Sequence, residues 1–139
     1  APASAKSKGY VFKYKGVSVT MNGAAKKLIK KAGKPSKKTV KKSCAYKEKD
    51  RTYTYKDFQL KTYSKTNNGA EYVSEIRFRS NKAVTKEGIR IGSSLKDVTK
   101  KYGKAKARFG VYTFKKGSSK LQIMLNGNKV SAIRYFASK

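Results

Sequence analysis

The chain contains no histidine, no tryptophan, one cysteine, two prolines and only seven acidic residues among 139. Without histidine there is no Ser–His or Cys–His nucleophile pair, no imidazole-ligated zinc and no imidazole proton shuttle. A lone Cys44 excludes an intrachain disulfide and a thiolate cluster. It reads as a small buried apolar side chain in preference to a thiol activated by neighbouring lysines. No catalytic residue, metal site or cofactor is therefore expected, and the protein is expected not to be an enzyme. Apolar runs are only a few residues long, against the ~20 needed to cross a bilayer, so no membrane span is expected.

Positive charge is abundant. Lys and Arg number 36, for a formal net charge of +29. Residues 1 to 47 hold 14 lysines, no arginine and no acid, and the segment from 98 onward is again acid-free. All seven acids fall between Glu48 and Asp97. Such a charge repels itself but draws polyanions by counterion release, with a steep salt dependence. Lysine outnumbers arginine 30 to 6, which suits delocalised contact with a repeating anionic polymer more than bidentate reading of a defined sequence. Apolar residues at 37% and aromatics at 12% suffice for a modest core, so the chain should fold despite its charge.

The two halves repeat. Gly16-Val17-Ser18-Val19 followed by Ala25 to Pro35 has a counterpart in Gly88-Ile89-Arg90-Ile91 followed by Leu95 to Ala105. Each reads as a short strand, a small-residue turn, a short helix and a glycine stop. After them come Tyr53-Thr54-Tyr55 and Tyr112-Thr113-Phe114, then Phe58-Gln59-Leu60 and Leu121-Gln122-Ile123. Each half closes on Val-Ser-x-Ile-Arg-aromatic, at Val73 to Phe78 and Val130 to Tyr135. Five blocks in one order point to a duplicated unit.

In the second helix Ser94 caps the first turn with Asp97 three residues on, Leu95, Val98, Thr99 and Tyr102 share a face, and Gly103 ends it. In the first, Ala25, Leu28, Ile29 and Ala32 face inward, while Lys26 with Lys30 and Lys27 with Lys31 repel at four-residue spacing. Segments 53–55, 58–63, 72–78, 111–114, 121–125 and 130–136 read as strands, with 10–14 a possible addition. Turns are expected at Lys56-Asp57, Thr66 to Gly69, Lys116 to Ser118 and Asn126-Gly127-Asn128. The fold class expected is α+β: two tandem helix-plus-three-strand units, with short helices packed on one face of an antiparallel sheet. Residues 1–8 are expected to form a flexible tail, 9–87 the first repeat unit and 88–139 the second, in one compact module.

The stretch Gly88 to Gly103, the aromatic hairpins and Val130 to Tyr135 resemble the tandem units of β-lactamase-inhibitory-protein-like domains, above all the secreted or lipoprotein versions of Gram-positive gut bacteria. The helix-and-glycine portion is also similar to small outer-membrane assembly lipoprotein domains. The resemblance implies an extracellular or cell-envelope, non-enzymatic α+β domain. It carries over no inhibitory residue, because no binding motif matches residue by residue. Ala1-Pro2-Ala3-Ser4 shows no charged-then-apolar signal region, so a secreted form would have lost its targeting segment.

The leading functional expectation is contact with an anionic polymer, such as a cell-wall or host polysaccharide. It would run through Lys26, Lys27, Lys30, Lys31, Lys34, Lys37, Lys38, Lys41 and Lys42, with Lys100, Lys101, Lys104, Lys106 and Arg108 in the matching place. The second is protein recognition by an aromatic sheet face drawn from Tyr53, Tyr55, Tyr63, Tyr112 and Tyr135. The third is nonspecific nucleic-acid binding, which the charge permits and which no groove-reading or RNA-binding motif supports.

Overall fold

From Phe58 to Ser64 every second side chain is buried: Phe58, Leu60, Thr62 and Ser64 point one way, Gln59, Lys61 and Tyr63 the other. That two-residue period is the signature of a strand with one face on a core. It recurs along the chain and builds the molecule. The computed structural model describes residues 9–42, 49–64, 69–103, 107–117 and 119–137. The expected tail over 1–8, Cys44, Lys104 and Lys106, and the turn at Thr66 to Asn68 lie outside the described residues.

The chain opens with strands β1 (Val11–Tyr14) and β2 (Val17–Thr20), followed by helix α1 (Lys26–Ala32) and strands β3 (Lys37–Lys42), β4 (Lys49–Thr54), β5 (Phe58–Ser64) and β6 (Tyr72–Phe78). Helix α2 (Leu95–Tyr102) then leads into β7 (Ala107–Arg108), β8 (Val111–Lys116), β9 (Ser119–Asn126) and β10 (Lys129–Ala137). β1 and β2 form a separate hairpin, closed by Lys15 and Gly16 at φ 48 and 85, the paired positive values of a tight hairpin turn. The other strands make one antiparallel eight-stranded sheet in the order β3-β4-β5-β6-β10-β9-β8-β7.

One face of that sheet is the core. Phe58, Leu60, Val73, Ile76, Leu121, Ile123, Ile133 and Tyr135 pack against Phe12 of β1, Val19 of β2, Leu28 of α1 and Val98 of α2. Phe12 sits 5.4 Å, centroid to centroid, from both Phe58 and Phe78. The hairpin, the two helices and the segment carrying Ala83 and Ile89 thus form a second layer over one side of the sheet.

Equivalent hydrogen bonds tie each helix to a middle strand. Asn22 N donates to Val73 O at 2.7 Å, Val73 N to Gly23 O at 2.9 Å and Ala25 N to Glu71 O at 3.0 Å. In the other half Gly92 N donates to Val130 O, Val130 N to Ser93 O and Leu95 N to Asn128 O, each at 2.8 Å. Both helices stop at a glycine of positive φ, Gly33 and Gly103, whose N–H returns to Ile29 O and Thr99 O. The β5–β6 register slips beside Ser74 and the β9–β10 register beside Ser131, so each Val-Ser-x-Ile-Arg block carries a bulge at its serine.

The expected α+β arrangement of two helix-plus-three-strand units is overturned. The protein is mainly β, with 53% strand against 13% helix. A single continuous sheet runs through both halves, and four strands follow each helix. The helices span only 7 and 8 residues, which is why they contribute so little. Lys37–Lys42, which has one strongly apolar residue in Val40, pairs with β4 along its whole length, and β4 begins at Lys49, four residues ahead of Tyr53. Gly88 to Ile91 forms no strand. Thr85 N donates to Ile89 O and Ile89 N to Thr85 Oγ1, closing a turn instead. The helix signals hold: Ser94 Oγ accepts from Asp97 N at 3.1 Å, and Leu28 and Val98 are the buried residues of α1 and α2.

Candidate functional site

The described residues supply no second layer to the other face of the sheet, and strand alternation decides what it displays. One row across it reads Lys37, Thr54, Gln59, Arg77, Arg134, Gln122 and Thr113, from β3 to β8. The neighbouring row reads Thr39, Thr52, Lys61, Glu75, Phe136, Lys120 and Lys115. Lys41, Asp50 and Tyr63 continue the face toward one end of β3, β4 and β5. Hydroxyls, amides and basic groups dominate, with Asp50 and Glu75 the acids in these positions.

Two depressions lie on this face. The larger, about 900 Å³, is lined by Thr39, Lys41, Asp50, Thr52, Lys61 and Tyr63 among others. The smaller, about 130 Å³, lies among Arg77, Gln122, Met124, Ala132, Ile133 and Arg134. Glu75 Oε2 is 3.5 Å from Arg77 Nη2 and 4.0 Å from Lys61 Nζ, a shared carboxylate between two bases. Arg134 has a different setting. Its guanidinium carbon stands 4.5 Å from the Phe136 ring centroid, and its Nε is buried without a hydrogen-bond partner.

The lysines singled out from the sequence are placed in two groups. Lys26, Lys27, Lys30 and Lys31 are exposed on α1, Lys34 follows it, and Lys37, Lys38, Lys41 and Lys42 belong to β3. Lys38 Nζ lies 5.2 Å from the Tyr53 ring centroid. Lys100 and Lys101 are exposed on α2, and Arg108 is exposed on β7. β3 and β7 are opposite edges of the sheet. Seven inter-strand steps separate them, roughly 34 Å, and the helical lysines ride on the layer that covers the core face. These residues do not converge on one stripe.

The tyrosine pool goes mostly inward. Tyr53, Tyr55 and Tyr135 are core residues, and Tyr112 is half-buried against the core. Tyr63 alone of the five lies on the open face, donating to Asn22 Oδ1 at 2.9 Å. Burial raises the hydroxyl pKa of Tyr53, Tyr102 and Tyr135 above the ordinary phenol value, with help from the carboxylate of Glu71 at Tyr53 and of Glu87 at Tyr135. Glu71 Oε1 accepts from Tyr53 and Thr62 at 2.7 Å each, and Glu87 Oε1 lies 2.7 Å from Tyr102 Oη.

Sequence reasoning passed over Arg77, Arg134, Gln59, Gln122, Lys61, Lys115 and Lys120. A signal for the arginines was present. Ile76 and Phe78 are buried two apart, as are Ile133 and Tyr135, so the arginine between them must emerge on the opposite face in both repeats.

Among the described residues no group of three or more Cys, Asp or Glu could hold a metal ion, and no helix is long and apolar enough to cross a membrane. The fold is that of a mainly antiparallel β sheet covered on one side. No family model and no curated protein matches the chain. Among solved structures it is similar to a cysteine-rich secretory protein from Staphylococcus aureus, with a TM-score of 0.53 at 12% identity, covering 84% of this chain and 44% of that one. The chain thus spans less than half the length of that protein, and at this identity the likeness is one of fold.

Proposed function

We propose that the chain is a non-enzymatic binding module that contacts an anionic polymer, acting outside the cell or in the envelope of a Gram-positive bacterium. The observation that carries this reading is the uncovered face of the eight-stranded sheet, which displays basic and hydrogen-bonding side chains in rows. The lysines of α1, β3 and α2, with Arg108 of β7, add a field that draws polyanions from any direction. The resemblance to β-lactamase-inhibitory-protein-like units supports the envelope setting. Recognition of a protein by an aromatic face has less to stand on, because Tyr53, Tyr55 and Tyr135 fill the core.

The test is retention on a sulfated or carboxylated polysaccharide resin under a salt gradient, beside a protein of matched size and net charge. The module is expected to elute at clearly higher salt than the control. Co-elution would reduce the basic surface to a solvated exterior. Nonspecific nucleic-acid contact follows from the same charge, and single-stranded DNA should be released from the module near physiological salt.

A further inference from the structure

Arg77 and Arg134 occupy the same position in the two Val-Ser-x-Ile-Arg blocks, and they pair directly with each other where β6 meets β10. Outward from them the open face reads the same in both directions, Arg, Gln, Thr: Gln59 and Thr54 on one side, Gln122 and Thr113 on the other. Like charges placed directly opposite across a strand pair cost stability. Glu75 offsets part of that cost for Arg77, at 3.5 Å. The counterpart of Glu75 is Ala132, so the other half supplies no such carboxylate, and Arg134 keeps a buried, unbonded Nε beside the 130 Å³ depression that both arginines line.

We infer that the Arg77–Arg134 pair is the seat of one carboxylate of an acidic polysaccharide lying across the strands, with Gln59, Gln122, Thr54 and Thr113 bonding the hydroxyls of the sugars on either side. The inference rests on the polyanion reading and deepens it. Guanidinium forks match a carboxylate bidentately, and a second fork beside the first concentrates charge where lysines elsewhere are dispersed. Flanking amides and hydroxyls are uncharged donors and acceptors. They complement sugar hydroxyls, which a polyphosphate lacks. The row from Thr54 to Thr113 crosses five inter-strand steps, roughly 24 Å, room for an oligosaccharide of several units.

The experiment is calorimetric titration of the full chain with oligogalacturonate at physiological salt, with polyphosphate of equal charge as the second probe. Arg134→Gln and Arg77→Gln should each weaken oligogalacturonate binding at least tenfold, and Gln122→Leu about threefold. A Lys82→Gln/Lys86→Gln double variant, which removes two exposed charges from the segment on the core side of the sheet, should change it less than twofold. Polyphosphate should bind more weakly and ignore Gln122→Leu. Equal losses from the lysine and arginine variants would overturn the seat, and polyphosphate binding as tightly with the same residue dependence would overturn the sugar. A wild-type chain that binds neither probe would sink the polyanion reading itself. Should Arg134→Gln unfold, the Arg134 Nε–H resonance of the wild type still decides: it must shift on titration while that of exposed Arg90 stays put.

Discussion

Tyr53 and Tyr135 are both buried, but their hydroxyls differ. Tyr53 donates at 2.7 Å to Glu71, which Thr62 also contacts, whereas the Tyr135 hydroxyl makes no bond of ordinary geometry and meets only the neutral hydroxyls of Tyr102 and Thr85. A bond to a charged acceptor contributes about 1.5 to 3 kcal/mol, and an unbonded buried hydroxyl contributes only a desolvation cost. Tyr53→Phe should therefore lower stability by about 1.5 to 3 kcal/mol. Tyr135→Phe should leave it unchanged or raise it by up to about 1 kcal/mol. Urea denaturation of the two variants decides, and an equal loss from both would mean that the Tyr135 hydroxyl is bonded after all.

β3 is an edge strand made largely of lysine, and its charges have a structural task apart from any ligand. An open edge offers unpaired N–H and C=O groups to other chains, and lysine on the edge opposes that pairing. The far edge is protected differently, by a β7 only two residues long. Replacing Lys37, Lys38 and Lys41 with threonine keeps a strand-compatible sequence and removes the repulsion. Light scattering on a sizing column should then show species of higher mass than the parent's, and an unchanged mass would deny the lysines this role. The same strand shows where the sequence stops being legible. α2 could be read from Ser94 and Gly103, and the β9–β10 hairpin from Asn126-Gly127, because capping and turn chemistry are local. β3 could not, since one valine among lysines carries no alternating pattern and its partner β4 supplies the order. The arginine seat was half legible. Alternation with Ile76 and Phe78 sets Arg77 on the open face, and Ile133 and Tyr135 do so for Arg134, but the β6–β10 pairing that joins them links residues 57 apart and leaves no local trace.

At the scale of the molecule, a net charge of +29 on a 139-residue chain works against compaction. Among the described residues the ion pairs Arg51–Glu71, Lys61–Glu75 and Arg77–Glu75 offset little of it. The fold must then rest on the apolar layer between sheet, hairpin and helices, with the charges held apart at its exterior. Stability should accordingly rise as salt screens the exterior, since the Debye length falls from about 30 Å at 0.01 M to about 10 Å at 0.1 M. The helix α1 isolates part of this effect. Lys26 faces Lys30 and Lys27 faces Lys31, no acid occupies its first turn, and Ala25 provides no side-chain cap. Each like-charge pair costs about 0.2 to 0.5 kcal/mol at low salt. Replacing all four with glutamine should raise the low-salt melting temperature by a few degrees and flatten its rise with added sodium chloride. If the parent melts at the same temperature from 0.01 to 0.5 M salt, self-repulsion is not what limits this fold, and the lysines are held apart well enough to leave their charge free for a ligand.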